Sequence, residues 1–309
     1  MKIVICGGTG FVGKHLVPHW LHEGHEITIV TRELTPERSA AQRVHYITWD
    51  DLEQHPEQIE GIDALVNLSG ESLNQRWTTK TKLDLVESRM RTVNIVSKSL
   101  EKLQHKPEVV VQASAMAIYG TSDDETFDES SERRTMNFPS SLAEQWEAVA
   151  DSIKDVRLIK LRISLVLGKD GGAYPLMSLP YKLYAGGKIG SGHQWVSWIH
   201  IHDMVRLIDF CIKNKQVEGP VNASSPGPVR YGEFGATLAK VMHRPHWFHV
   251  PSFAIKPVLG EMSVILLQGQ RVIPQKALDH GFTFRYPDLR SAITDLESKE
   301  VAVHENKRA

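Results

Sequence analysis

The chain has only two cysteines, Cys6 and Cys211, in 309 residues, so neither a disulfide framework nor a cysteine-rich metal centre can be assembled from it. An excess of charge is also missing, since 36 Lys+Arg stand against 37 Asp+Glu for a formal net of −1. That balance gives no bulk support for nucleic acid or an anionic membrane as partner, although a local basic patch is compatible with it. No apolar run reaches the roughly 18 residues that span a bilayer, and the short apolar stretch after Met1 lacks the charged flank and length of a secretory signal. The reading is a cytoplasmic protein with two reduced thiols, no nucleic-acid partner and no membrane partner.

What is present is core material, with 41% hydrophobic residues, arranged in a regular alternation. Short β-branched runs predict strands over 2–6, 26–31, 44–48, 64–68, 109–113 and 157–162. Apolar residues at helical spacing predict helices over 11–23, 81–103 and 140–153. Strand–helix alternation of this kind specifies an α/β fold, a doubly wound parallel sheet of Rossmann type. Glycines and prolines then interrupt the pattern from Gly171 to Gly192, with room for a short helix over 174–184. Helices over 203–213 and 231–243 flank a strand-like 220–223. The expected organisation is a dinucleotide-binding unit over 1–168, with segments near 195–225 returning to it, a smaller covering lobe over 169–300 and a frayed tail over 301–309.

Gly7, Gly8, Thr9, Gly10, Phe11, Val12 and Gly13 follow the first strand and open the first helix, the place a dinucleotide fingerprint occupies. Glycine there permits a tight turn and close backbone approach, while a helix N-terminus offers oriented N–H groups to a pyrophosphate. The second strand ends in Thr31-Arg32 rather than in an acidic residue. A guanidinium at this point pairs with a 2′-phosphate, which favours NADP(H), whereas Glu33 would favour NAD(H) if the register slipped.

Further along, Asn67-Leu68-Ser69-Gly70 ends the fourth strand, Ser114 follows the fifth, and Tyr119-Gly120 comes shortly after. With the glycine loop, these stations resemble the extended short-chain dehydrogenase/reductases, which include nucleotide-sugar epimerases and dehydratases. Gly190–Gln194, Trp198-Ile199-His200-Ile201-His202-Asp203 and Leu266-Leu267-x-Gly269-Gln270-x-Val272-x-Pro274 narrow the resemblance to an atypical subgroup, the epimerase family proteins. The resemblance implies that Leu68, Ser69 and Gly70 line the adenosine-ribose side, that Arg89 approaches phosphates or ribose, and that Val166 sits near the nicotinamide. It also implies a small-molecule substrate, and a homodimer formed through the helices over 81–103 and 140–153.

The usual Tyr-x-x-x-Lys pair of such enzymes puts a phenol and an ammonium on one helical face, where the ammonium lowers the phenol pKa for proton transfer. Here the corresponding positions fall near Phe138 and Leu142, which exchange no proton. A literal match at Tyr184 and Lys188 contains Gly186-Gly187 and so cannot be one helical turn. Ser114 and Tyr119 remain as candidate catalytic groups, with Glu144 and Glu147 as further polar groups on the helix that lacks the lysine. Gln194, Trp198 and His200 are candidate substrate contacts. His15, His19 and His22, like His243, His246 and His249, recur at close spacing, but Pro18 and Pro245 interrupt the segments and no acidic or thiol ligand is spaced to complete a shell, so no metal is assigned. Two functions follow: an NADP(H)-dependent oxidoreductase or epimerase acting on a small polar molecule such as a sugar nucleotide, or an NADP(H)-binding sensor or scaffold that transfers no hydride.

Overall fold

The computed structural model describes residues 1–35 and 43–298; the expected tail over 301–309 lies outside them. Seven strands form one parallel sheet: β1 (Lys2–Cys6), β2 (Glu26–Thr31), β3 (Val44–Thr48), β4 (Ala64–Asn67), β5 (Val109–Ala115), β6 (Arg157–Ile163) and β7 (Gly219–Ala223). Their spatial order is β7-β6-β5-β4-β1-β2-β3. Apolar runs such as Ile3–Ile5, Ala64–Val66 and Val109–Val111 fill the inner strands because helices cover both faces, and Gln112, Ser114, Lys160 and Arg162 interrupt β5 and β6. Cys6 pairs in register with Asn67 and Val30, and Ser114 with Arg162, so several polar side chains collect at the C-terminal edge.

On one face, the helices Gly13–His22 and Ile201–Lys213 bury Leu16, Trp20, Met204, Leu207, Ile208 and Cys211 against β1 and its neighbours. On the other, the helices Thr79–Lys102 and Phe138–Ala150 bury Val93, Val96, Leu100, Trp146 and Ala150. Each starts where the sequence supplies a cap: Thr78 accepts the Thr81 N–H, and Asn137 forms a capping box with Ser140. Both cysteines are buried free thiols, and burial holds both pKa values up.

The smaller lobe has its own core, in which Tyr174, Trp198, Phe234, Leu238, Leu289 and Ile293 pack together. Its elements include the helices Tyr174–Lys182, Tyr231–Met242, Ser252–Leu259 and Leu289–Glu297. The segment around 195–225 contributes both β7 and a helix on the sheet, so the chain leaves the sheet at Ile163 and returns to it at Gly219. No helix among the described residues is long and apolar enough to cross a membrane.

Candidate functional site

β1 and β4 are neighbours, yet the helices after them go to opposite faces of the sheet. This is the switch point at which doubly wound sheets open a crevice beyond their strand ends. The glycine loop fills it closely. A Cβ on Gly7 would lie 3.1 Å from the Leu68 carbonyl, and one on Gly13 would lie 2.4 Å from the Gly7 oxygen. The Gly10 N–H donates to that same oxygen at 2.9 Å. No side chain caps the helix that begins at Gly13; the Lys14 and His15 N–H groups donate to the Gly10 and Val12 carbonyls, so an anion here would meet the N–H groups of the loop that precedes them. Across the crevice the Asn67 amide receives the Ser69 N–H and donates to Gln112 at 2.9 Å, fixing the turn through Leu68, Ser69 and Gly70.

The loop is anchored from its far side as well. The Phe11 ring lies against Gly168, Gly171 and Gly172, where a Cβ on Gly171 would come within 2.4 Å of it. Asp170, at the tip of that hairpin, pairs with Lys14 at 2.7 Å and with His15 at 3.1 Å. Val166, on the strand Leu165–Gly168, is buried in the core beside this seat.

Two arginines lie near the turn after β4. Arg32 follows Thr31 and is 85% exposed at its side chain, 3.5 Å from the Glu71 carboxylate. Arg89 is buried; its guanidinium donates to the Leu85 and Glu71 carbonyls at 3.0 Å and lies over the Trp146 ring. Desolvation pushes its pKa down to about 10, and its Nε has no hydrogen-bond partner. A buried cation without a carboxylate on its fork, against the backbone of Gly70, is a suitable group to meet an anion.

Beyond β5 lies a buried polar chain. Ser114 donates to Glu147 at 2.8 Å, and Arg162 grips the same carboxylate through Nε at 2.8 Å and Nη2 at 3.0 Å. Arg162 Nη1 donates to the Tyr119 hydroxyl at 2.8 Å, and that hydroxyl donates to Asn222 at 2.7 Å. Burial pushes the phenol up to about 12 against the opposing influence of Arg162. The expectation that Tyr119 exchanges a proton therefore meets a hydroxyl whose hydrogen bonds both go to protein and whose ring is fully buried. Asn222 and Arg162 were missed by motif reading because they belong to strands, not to any known spacing.

The three lobe residues are likewise engaged with protein. Gln194 donates to the Ile189 and Leu266 carbonyls, tying the glycine-rich loop to the C-terminal segment. Trp198 is in the lobe core and donates to Gly227 at 2.9 Å. The His200 Nδ1 accepts the His202 N–H and caps the helix Ile201–Lys213, which leaves the proton on Nε2, 3.3 Å from Asp295.

Burial, with His202 and Arg285 adding to it, pushes His200 down to about 4, and His202 is lowered too. An unfolded imidazole titrates near 6.5, so between these values the unfolded chain takes up a proton that the folded chain refuses. His200 then adds stability that is full above pH 6.5 and falls as pH drops towards 4, by up to about 3 kcal/mol. His200→Asn, which keeps an N-cap acceptor, is expected to flatten part of the fall of Tm between pH 7 and 4; an unchanged pH profile would refute this.

Comparison with known proteins now decides the family. The model of the NAD dependent epimerase/dehydratase family matches residues 3–223, and that of a domain of unknown function, DUF1731, matches residues 250–296. The chain belongs to the epimerase/dehydratase family. It is 41% identical to the epimerase family protein YfhF of Bacillus subtilis, over 96% of this chain and 98% of that one. It also resembles the crystal structure of human epimerase family protein SDR39U1 with NADPH, at 34% identity and TM-score 0.89, covering 96% of this chain and 99% of that chain. A nucleoside-diphosphate sugar epimerase from Corynebacterium glutamicum matches at 27% identity and TM-score 0.76, over 95% of this chain and 57% of that one.

Within this epimerase/dehydratase fold the familiar phenol–ammonium pair has no counterpart at Phe138 and Leu142. Phe138 stacks edge-on against Trp77 and sits under Lys82, while Leu142 is buried. The literal match also fails as a helical pair, because Tyr184 has φ of 59° and Lys188 lies in the strand Gly187–Ile189. Folding brings a second carboxylate, Asp209, to His19 and its i+4 neighbour Glu23, so that the three converge. The Lys213 ammonium lies 2.8 Å from both carboxylates and offsets one of their two charges.

Proposed function

We propose that this member of the family is an NADP(H)-dependent oxidoreductase or epimerase acting on a small polar substrate, with a sugar nucleotide as the leading class. The observation that carries the cofactor half is the glycine cradle packed against the backbone of Leu68 and Ser69, with the half-satisfied, buried Arg89 guanidinium set against Gly70 at the end of the same turn. Gly7 to Gly13 would hold the pyrophosphate, Leu68, Ser69 and Gly70 the adenosine ribose, Thr31 and Arg32 the 2′-phosphate, Arg89 an adjoining anionic group, and Val166 the nicotinamide side. The relatives support the same choice, since the human protein carries NADPH and the Corynebacterium protein is a sugar-nucleotide epimerase.

When bound, the cofactor supplies hydride exchange. The acid–base part we assign to Ser114. Its proton points at Glu147, so its lone pairs are free to accept from a substrate hydroxyl. As that hydroxyl is oxidised, its proton passes to Ser114 Oγ and the serine proton passes to Glu147 Oε1. Arg162 fixes the carboxylate, and Tyr119, keeping its proton, fixes Arg162. Gln194 would act on substrate through the glycine-rich loop it ties down, and Trp198 and His200 through the lobe core and the helix end they support.

Arg32→Ala is expected to weaken NADPH binding about tenfold and to change NADH binding less than twofold, as measured by calorimetric titration. Equal loss for both cofactors would remove Arg32 from the 2′-phosphate. Stereospecific loss of deuterium from NADPH labelled at C4, over a panel of keto-sugars and sugar nucleotides, tests the chemistry. Tight NADPH binding with full retention of label on every compound would make the protein a binder without hydride transfer.

A further inference from the structure

Two tracts of the covering lobe contain no acidic residue at all: 171–202 and 234–260. Together they carry five Lys/Arg, so on a net of −1 the remainder of the chain carries −6. The fold puts the two tracts side by side. Their strands Gly187–Ile189 and Phe248–Val250 pair in parallel, and the Trp247 indole donates to the Tyr184 carbonyl at 3.1 Å. The Arg244 guanidinium covers the Tyr184 ring at 4.5 Å.

The outer side of this unit is apolar. Leu176, Leu179 and Leu183 recur at i, i+3 and i+7, which places them on one side of the helix Tyr174–Lys182 and its cap. All three are exposed, as are Tyr184 and Phe253, and Trp247 is 75% exposed. The helix Ser252–Leu259 buries none of its residues despite its apolar composition. Lys182 and Lys240 are exposed on the same pair of tracts. Exposed aromatic and aliphatic side chains among cations, on two paired tracts that carry no carboxylate, have the composition of an interfacial membrane anchor.

We propose that this face docks peripherally on an anionic phospholipid surface, with Trp247, Tyr184 and the leucine stripe entering the headgroup region. Aromatic rings settle at that depth, and basic side chains add attraction to anionic lipid. Charge selects lipid over a second copy of the chain, since a two-fold contact would press two such basic faces together. The docking needs no spanning helix and is independent of the reaction proposed above.

The full chain, incubated with phosphatidylcholine vesicles containing about 30% phosphatidylglycerol, is expected to co-sediment at low salt and not with pure phosphatidylcholine vesicles. Trp247 is the most exposed indole, so its emission should shift to the blue on anionic vesicles, and Trp247→Ser should abolish the shift. Lys182→Glu combined with Lys240→Glu should weaken the partition about tenfold or more, with NADPH binding and circular dichroism unchanged. Failure to partition, or equal partition onto neutral vesicles, would overturn the proposal. So would a stable dimer whose Trp247 emission is already blue-shifted without lipid, which would give the face to a second copy.

Discussion

Glu147→Ala is expected to destabilise the fold by about 3–5 kcal/mol, because it leaves the Arg162 guanidinium buried without its counter-charge. The Arg162 side chain is 3% exposed and Glu147 is fully enclosed, so water cannot replace the lost partner. The neighbours offer little compensation. Ser114 loses its acceptor, and the Tyr119 hydroxyl still needs Arg162 as donor. Urea denaturation at pH 7 measures the loss. Glu147→Leu combined with Arg162→Met should recover most of it, since an apolar pair of similar volume avoids the desolvation cost. A single variant as stable as the parent would show that the pair is solvated. A double variant no better than the single would locate the cost in packing rather than in charge.

Gly13→Ala is expected to weaken NADPH binding about 10- to 100-fold, the equivalent of the roughly 1–3 kcal/mol that overpacking a close contact costs. The added methyl would meet the Gly7 oxygen at 2.4 Å and the Gly8 backbone at 2.6 Å. Both are main chain, so no rotamer change relieves the clash and the loop itself must move. That loop is the proposed pyrophosphate cradle, and displacement costs affinity there before it costs stability elsewhere. Titration with NADPH measures the effect, and an unchanged Kd would show that the cradle is not where the cofactor rests.

The glycine fingerprint, the strand ends and the family stations were legible because each is a local pattern tied to a backbone requirement. The first five strands and the sixth are found within two residues of the lengths their apolar runs imply. Arg89 carried a readable signal too. It sits on the stripe Leu85, Arg89, Val93, Val96 and Leu100, so helical spacing alone placed a cation among core positions. Glu147 was recognisable as a polar group on the right helix, but its partner was not. Arg162 becomes its neighbour only when β6 pairs with β5, a contact between segments whose spacing carries no motif. Trp198 and His200 show the converse case. Both stand in a polar, family-specific stretch that invites a binding role, whereas folding turns them inward to a carbonyl, a helix end and a carboxylate. Composition was blind to the lobe for a simpler reason: a near-zero sum hides two acid-free tracts that only the fold makes adjacent.

The late return of the chain to its sheet bears on how the protein is made. A ribosome delivers β6 well before β7, so until Gly219–Ala223 emerges the outer side of β6 presents a row of unpaired N–H and C=O groups. Such an edge is a template for another strand, including one from a neighbouring nascent copy. A fragment ending near residue 168 would keep that edge permanently. The glycine fingerprint alone therefore does not delimit a piece that can be excised, and the unit of biosynthetic competence extends at least to Ala223.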